Sequence, residues 1–377
     1  MKLEWELKPL GDLCDILDNQ RKPITKRDRT PGEFPYYGAT GILDYVDSYI
    51  FDEPLVLIGE DGAKWGSGDI TAFPVEGKCW VNNHAHVLRP HRSVLMDRWL
   101  IYYLVHSDLS DFVSGLTVPK LNQGTLREIP ISLPTLAEQR RIVGIIDKAF
   151  EGITTAKANV EKNLQNACAL FESHLQSVFA QRGKAWVEKK LSEVCAITST
   201  LVDPRKNEFL DLTHVGAGNI ESRTGVFVDL KTAREEGLIS GKFLFDESMV
   251  LYSKIRPYLM KVARPDFPGL CSADMYPLAP FPKEITRDYL FHLLLSKTFT
   301  DYAILGSARA GMPKVNREHL FEFKVWLPEV KKQKELAAKL DDLHAETQRL
   351  AHLYERKLTA LEAFKKSLLH QAFSGNL

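Results

Sequence analysis

ISLPTLAEQRRIVGIID (131–147) and VWLPEVKKQKELAAKLD (325–341) are two versions of one stretch. Each opens a segment that closes in a second matched pair, FESHLQSVF (171–179) and FKKSLLHQAF (364–373). A shift of 194 positions superposes Pro134 on Pro328, Gln139 on Gln333, Ile142 on Leu336, Asp147 on Asp341, Ser173 on Ser367, Leu175 on Leu369 and Phe179 on Phe373. The pairing predicts one long helix, repeated.

Apolar positions recur at three- and four-residue steps through both copies. The first gives Ile142, Ile146, Ala149, Ile153, Ala156, Val160, Asn163, Ala167 and Leu170; the second gives Leu336, Leu340, Leu343, Thr347, Leu350, Tyr354, Lys357, Leu361 and Phe364. Such spacing marks a coiled-coil seam on helices of roughly 65 Å, at about 1.5 Å per residue. Neither seam can stay in water, and the simplest partner for one is the other. Ile142, Ile146, Ile153, Val160, Leu336, Leu340, Leu350 and Leu361 are therefore expected to pair in an antiparallel coiled coil. Asn163 and Lys357 are the polar residues that would set its register.

Working outward, the segments before each helix also match. Trp5, Leu10, Cys14 and Ile16 align with Trp186, Leu191, Cys195 and Ile197, and Leu55–Leu57 with Met249–Leu251. Leu100 and Phe112 align with Leu290 and Tyr302, and Pro119, Lys120 and Asn122 with Pro313, Lys314 and Asn316. The offset drifts inside these bodies and is constant through the helices, so one body-plus-helix unit has been duplicated with scaffold kept and loops changed. The predicted architecture is α+β: two similar globular domains over 1–133 and 184–327, each followed by a long helix (134–183 and 328–377), with pseudo-twofold symmetry. In each body a strand and short helix precede a loop, strands follow at 54–62 and 79–90, and a buried helix covers 98–112 in the first. Asn122 and Asn316 are placed to cap short helices.

Composition bounds the function. The 377 residues are 44% hydrophobic and carry 49 basic and 49 acidic side chains, which argues against a nonspecific polyanion binder but leaves room for local basic loops. No apolar run reaches membrane-spanning length, and MKLEWELKPLGDLC lacks a signal-peptide core, so a cytoplasmic protein without membrane association is expected. Cys14, Cys79, Cys168, Cys195 and Cys271 are dispersed, with no CxxC pair, as suits a reducing compartment.

The strings LPTLAEQRRIV, LPEVKKQKELAAKL and SLLHQAFSGNL, with PYYGATGILDY, LIGEDGA and WVNNHAHVL in the first body, resemble the specificity subunits of type I restriction-modification systems along essentially the whole chain. One departure is Lys332–Gln333 where the first copy has Glu138–Gln139, which bears on how alike the two partner-docking ends are. The resemblance implies that each body is a target-recognition domain reading half of a bipartite, asymmetric DNA site. It further implies that the helices dock two methyltransferase subunits, which flip and methylate adenine at N6 with S-adenosylmethionine, and that restriction subunits join with ATP and magnesium. This chain would be non-catalytic and hold no cofactor. Consistent with that, it contains neither an Asn/Asp-Pro-Pro-Tyr/Phe methyltransferase motif nor a GxxxxGK[ST] loop.

Base-edge and phosphate contacts call for Arg, Lys, Asn, Gln or His on loops able to enter a groove. The candidates are Arg21, Lys22, Lys26, Arg27, Lys64, Trp65, His84, His86 and Lys120 in the first body. In the second they are Lys254, Arg256, Lys261, Arg264, Arg309 and Lys314. Two other classes remain: a coiled-coil scaffold whose bodies bind protein, and a metal nuclease using His84 and His86 with Glu60 or Asp61, for which spacing supplies no third ligand.

Overall fold

The computed structural model describes residues 5–115, 117–307 and 313–377. They form two compact units, 1–161 with 356–377, and 162–355, so each unit holds one body and part of both long helices.

In the first unit the run Leu55–Gly59 is buried on both faces, which is why it reads as unbroken apolar sequence rather than alternation. Val56 and Ile58 point into a cluster with Trp99, Leu100 and Leu104 of the helix Asp97–His106, while Leu55 and Leu57 point into a second with Phe51, Val75 and Val81. The strand lies between Ala85–Pro90 and Ala72–Val75 in an antiparallel four-stranded sheet completed by Cys14–Ile16. A second four-stranded sheet joins Gly41–Val46, Pro31–Gly38, Lys78–Val81 and Phe51–Asp52, its central pair parallel. Glu6–Pro9 pairs with Pro130–Leu133 beneath the start of the long helix.

The second unit repeats this plan. Cys195–Ala196, Met275–Pro280, Val250–Ser253 and Val262–Ala263 form the matching sheet, Val187–Lys190 pairs with Lys324–Leu327, and the remaining sheet has five strands instead of four. Register is shared: Val56 faces Leu88 as Val250 faces Leu278. The drift in sequence offset therefore arises between paired strands, chiefly in 17–54 and its longer counterpart 198–248, with a smaller opposite change in 60–84 and its shorter counterpart 254–274.

The long helices span Leu136–Ala180 and Val330–Phe373. In the first unit the start of one meets the end of the other: Ile142 and Ile146 share a core with Leu369 and Ala372, Lys157 Nζ lies 2.8 Å from Glu362 Oε1, and Arg141 Nη2 donates to the Leu377 carbonyl. In the second unit the polarity is the same, with Phe171, Leu175 and Val178 packed with Ala337 and Leu340. The two helices are antiparallel within each unit.

The seam differs from the expected one in detail. Ile142, Ile146, Ile153 and Leu340 are buried, and Val160, Leu336, Leu350 and Leu361 are half-buried. Asn163 and Lys357, however, face solvent, and so does Leu170, while Leu164, Leu358 and Phe171 turn inward. Strict alternation of three- and four-residue steps averages 3.5 residues per turn, whereas a nearly straight helix keeps 3.6, so the buried stripe slips by one residue near mid-helix. Asn163 and Lys357 thus do not occupy buried register positions.

A buried glutamine fastens each body to its helix. Gln139 Nε2 donates to the carbonyls of Val94 and Pro134, and its Oε1 accepts from Met96 N, at 2.8, 2.9 and 2.8 Å. Gln333 does the same to Glu284 and Pro328, accepting from Thr286 N, at 2.8, 2.9 and 3.0 Å. A second tie is also repeated with changed chemistry. Asp147 accepts from Tyr102 Oη at 2.5 Å, whereas its counterpart Asp341 accepts from His292 Nε2 at 2.8 Å and from Arg264 through both terminal nitrogens.

The helix expected over 98–112 ends at His106 and resumes as a short 3-10 turn, Ser110–Phe112. Asn316 caps as expected, its Oδ1 accepting from His319 N at 2.7 Å. Asn122 takes the N-cap backbone position only: its Nδ2 donates to Ser114 Oγ instead.

Candidate nucleic-acid interface

At the same end of each body, the buried strand runs out into a loop pinned by one bridge. Asp61 bridges Lys120 and Leu121 N donates to Glu60 O; Ile255 bridges Lys314 and Val315 N donates to Lys254 O. A side chain of the neighbouring strand braces each loop. His86 Nε2 donates to Leu121 O at 2.7 Å, and Tyr276 Oη donates to Val315 O at 3.0 Å. Backbone is thus held alike in both copies, while the side chains projecting from it differ.

In the first body the cations around this loop are partly committed. Glu60 receives Arg21 Nη1 at 2.5 Å and Lys120 Nζ at 2.7 Å, and Arg21 Nη2 also approaches Asp18 at 3.3 Å. Burial pushes the Asp18 and Glu60 carboxyls up, but hydrogen bonds from His86 to Asp18, and from Lys120 and Arg21 to Glu60, outweigh it and hold both below the ordinary carboxylate range. Asp18, Glu60 and His86 offer three ligand atoms within 4.8 Å of one another, but Arg21 and Lys120 already neutralise these carboxylates.

Several expected contact residues are therefore structural. His86 is fully buried, with Nδ1 2.5 Å from Asp18, so it braces the loop and is withdrawn from any groove. His84 sits on the turn between two strands rather than within one, half-exposed and 2.5 Å from Asp61, so the two histidines do not share a strand face. Trp65 is 7% exposed and donates Nε1 to Gly59 O, which anchors the glycine-rich loop from inside. Arg21 reaches Ala85 O behind the loop, and Arg264 binds Asp341 and Asp288 while stacking over Phe291 at 4.2 Å. In a single sequence a cation beside a distant carboxylate looks like any other loop cation.

The others face outward. Lys22, Lys26, Arg27 and Lys64 are exposed; the Lys22 carbonyl accepts from Trp80 Nε1 at 2.6 Å, which holds the backbone and leaves its ammonium in solvent. Lys120 keeps 42% of its side chain exposed beside Glu60. In the second body Lys254 donates to Ala273 O and lies 5.3 Å from the Tyr276 ring, where burial and then the Lys314 charge push its ammonium down. Lys261 donates to Ala217 O at 2.6 Å. Lys314 is exposed, 3.8 Å from Asp274, and Arg256 is exposed on the rim of a cavity of about 420 Å³. Arg309 lies outside the described residues. Arg317 is a further cation at this end of the second body, its guanidinium near Phe243 and Tyr276 at 5.6 and 5.8 Å; its place in a short helical pattern hides it in the sequence.

Two bodies that hold equivalent loops on equivalent braces, with unlike side chains, invite comparison with known proteins. The family model for the type I restriction modification DNA specificity domain matches twice, over residues 2–165 and 183–357. The chain belongs to this family. Among specificity-domain relatives, the EcoDI specificity subunit of Escherichia coli is 26% identical over all of this chain and 89% of its own length. The MjaVIII specificity subunit of Methanocaldococcus jannaschii is 22% identical over 99% of this chain and 93% of its own. A chain from a solved type I R-M system, described for its complex assembly and conformational transition, superposes with a TM-score of 0.73 at 17% identity, covering 100% of this chain and 99% of that one. The HsdS subunit of Thermoanaerobacter tengcongensis superposes with a TM-score of 0.57 at 17% identity, covering 100% and 98%. Both solved chains share the fold described above.

Proposed function

We propose that this chain is the specificity subunit of a type I restriction-modification complex, in which each body reads one element of a bipartite, asymmetric DNA site. The supporting observation is the pair of loops carried on one repeated brace, Asp61–Lys120 and Ile255–Lys314, with different side chains presented by each. Shared scaffolding gives both bodies the same approach to a duplex; unlike side chains give each a different preference. The repeated glutamine clamps attach each body rigidly to its helix, so helix length sets the spacing between elements.

In this reading the chain supplies address and scaffold and performs no covalent step. Two methyltransferase subunits dock on the helices and carry S-adenosylmethionine; restriction subunits bring ATP and magnesium, and the complex works in the cytoplasm. The described helices include none long and apolar enough to cross a membrane, which is compatible with that setting.

The test is a genome-wide map of N6-methyladenine in cells expressing the chain with its cognate methyltransferase, against cells lacking the chain. A gained motif of two short unequal elements around a fixed spacer is expected. Absence of any gained motif, with the methyltransferase bound and active, refutes the proposal.

A further inference from the structure

At one position of the pinned loop the two bodies share a positive φ but not a residue. One step past the bridge, the first body has Gly62 at φ +67° and the second has Arg256 at φ +50°, ψ +64°. A Cβ built on Gly62 meets nothing within 4 Å, so space is not what selects glycine there; the left-handed backbone is. Arg256 adopts that conformation with a Cβ, and immediately before Pro257, whose ring also disfavours helical values at the preceding residue. A second non-glycine residue, Met260 at φ +50°, closes the same 3-10 turn, Pro257–Leu259. The first body thus meets this backbone requirement with glycine, and the second meets it with a strained arginine. Strain held on a functional loop points to a need for the side chain.

The surroundings say what that need is. Two neighbouring cations are committed, Lys254 on Ala273 O and Lys261 on Ala217 O, while Lys314 stays exposed, 3.8 Å from Asp274. Arg256 N donates to Pro313 O, which fastens its backbone to the loop carrying Lys314, but its guanidinium has no partner among the described residues and projects at the cavity rim. A planar fork on a fastened backbone, without a partner among the described residues, is suited to bidentate recognition, and the base edge that offers two acceptors at that spacing is guanine O6 and N7 in the major groove.

Resting on the specificity-subunit reading, we propose that Arg256 reads a guanine in the element recognised by the second body. Lys314 contacts phosphate beside it and carries no base preference. The first body, with Gly62 at this position, reads its element by other side chains.

The experiment compares the wild-type chain, R256G and R256K, each assembled with its methyltransferase, by N6-methyladenine mapping and by competition between duplexes differing at single positions. Thermal melting is recorded in parallel. R256G removes the strain, so it is expected to melt no lower than wild type. It should lose roughly 5- to 150-fold of discrimination for guanine at one position of one element. R256K keeps the charge but not the fork and should lose the same discrimination. The other element and the spacer stay unchanged in both variants. Guanine retained at every position in R256G, or relaxation spread over both elements, overturns the assignment of Arg256 while leaving the specificity reading intact. A wild-type complex without any bipartite motif refutes that reading itself.

Discussion

Replacing Gln139 with leucine tests whether the body is fastened to its helix by one buried amide. The side chain is fully buried and makes three hydrogen bonds to backbone groups of two segments. Leucine fills similar volume but leaves Met96 N–H and the carbonyls of Val94 and Pro134 unpaired, at about 1–3 kcal/mol each, less what is recovered by removing the polar amide itself. Net destabilisation of about 4 kcal/mol is expected, a large share of the roughly 5–15 kcal/mol that holds a domain folded. Gln333→Leu should cost the same within about 1 kcal/mol, because its three partners lie at matching distances. Urea unfolding measures the sum, and native-state hydrogen exchange at Met96 measures the local part. A loss below about 1 kcal/mol, with Met96 protection unchanged, refutes the clamp as the fastening element.

Stability of the second unit should fall with acidification in two stages. Burial pushes His292 down, and its unpaired Nδ1 is consistent with a neutral ring donating Nε2–H to Asp341. The unfolded chain then takes up a proton first, so stability declines as pH falls below about 6.5, and His292→Gln should flatten that stage. Burial raises the Asp341 carboxyl, but hydrogen bonds from His292 and Arg264 outweigh it and depress it strongly, so its contribution is present above about pH 4 and is lost as pH falls through the lowered value. Urea midpoints of Asp341→Asn against wild type from pH 7 to pH 2 check this. Asn316→Ala should cost about 1 kcal/mol in thermal unfolding, and Asn122→Ala clearly less, since only Asn316 accepts a capping hydrogen bond. Lys314→Gln should weaken duplex binding evenly across sequences and lower the salt dependence, as log K against log salt, by about 1; a sequence-selective loss would contradict a phosphate role.

Long elements were legible in the sequence because repetition and period reinforce one another. Pro134 and Pro328 mark the helix starts to within two residues, and the matched apolar strings locate both bodies. The mid-helix seam was not legible, since periods of 3.5 and 3.6 separate only after several turns, just where Asn163 and Leu170 turn out to face water. Among site residues, exposure was the missing quantity. Arg21, His86 and Arg264 find carboxylates on other elements, so nothing beside them in sequence distinguishes them from Lys22 or Lys64. The left-handed backbone at Arg256 was equally hidden, because arginine does not advertise it as Gly62 does.

Most of the length difference between the bodies lies between Ile16 and Leu55 in one and between Ile197 and Met249 in the other, with a smaller opposite change between Gly59 and Ala85 and between Ser253 and Met275, and strands in unchanged register bound both stretches. Insertions and deletions there are absorbed before they reach the clamps, which sit on the far side of the paired strands in the chain. A lineage can therefore lengthen or shorten what it presents to a target without altering the distance between its two elements. Vocabulary and grammar are carried by separate parts of the same chain, and selection can rewrite the first while leaving the second alone.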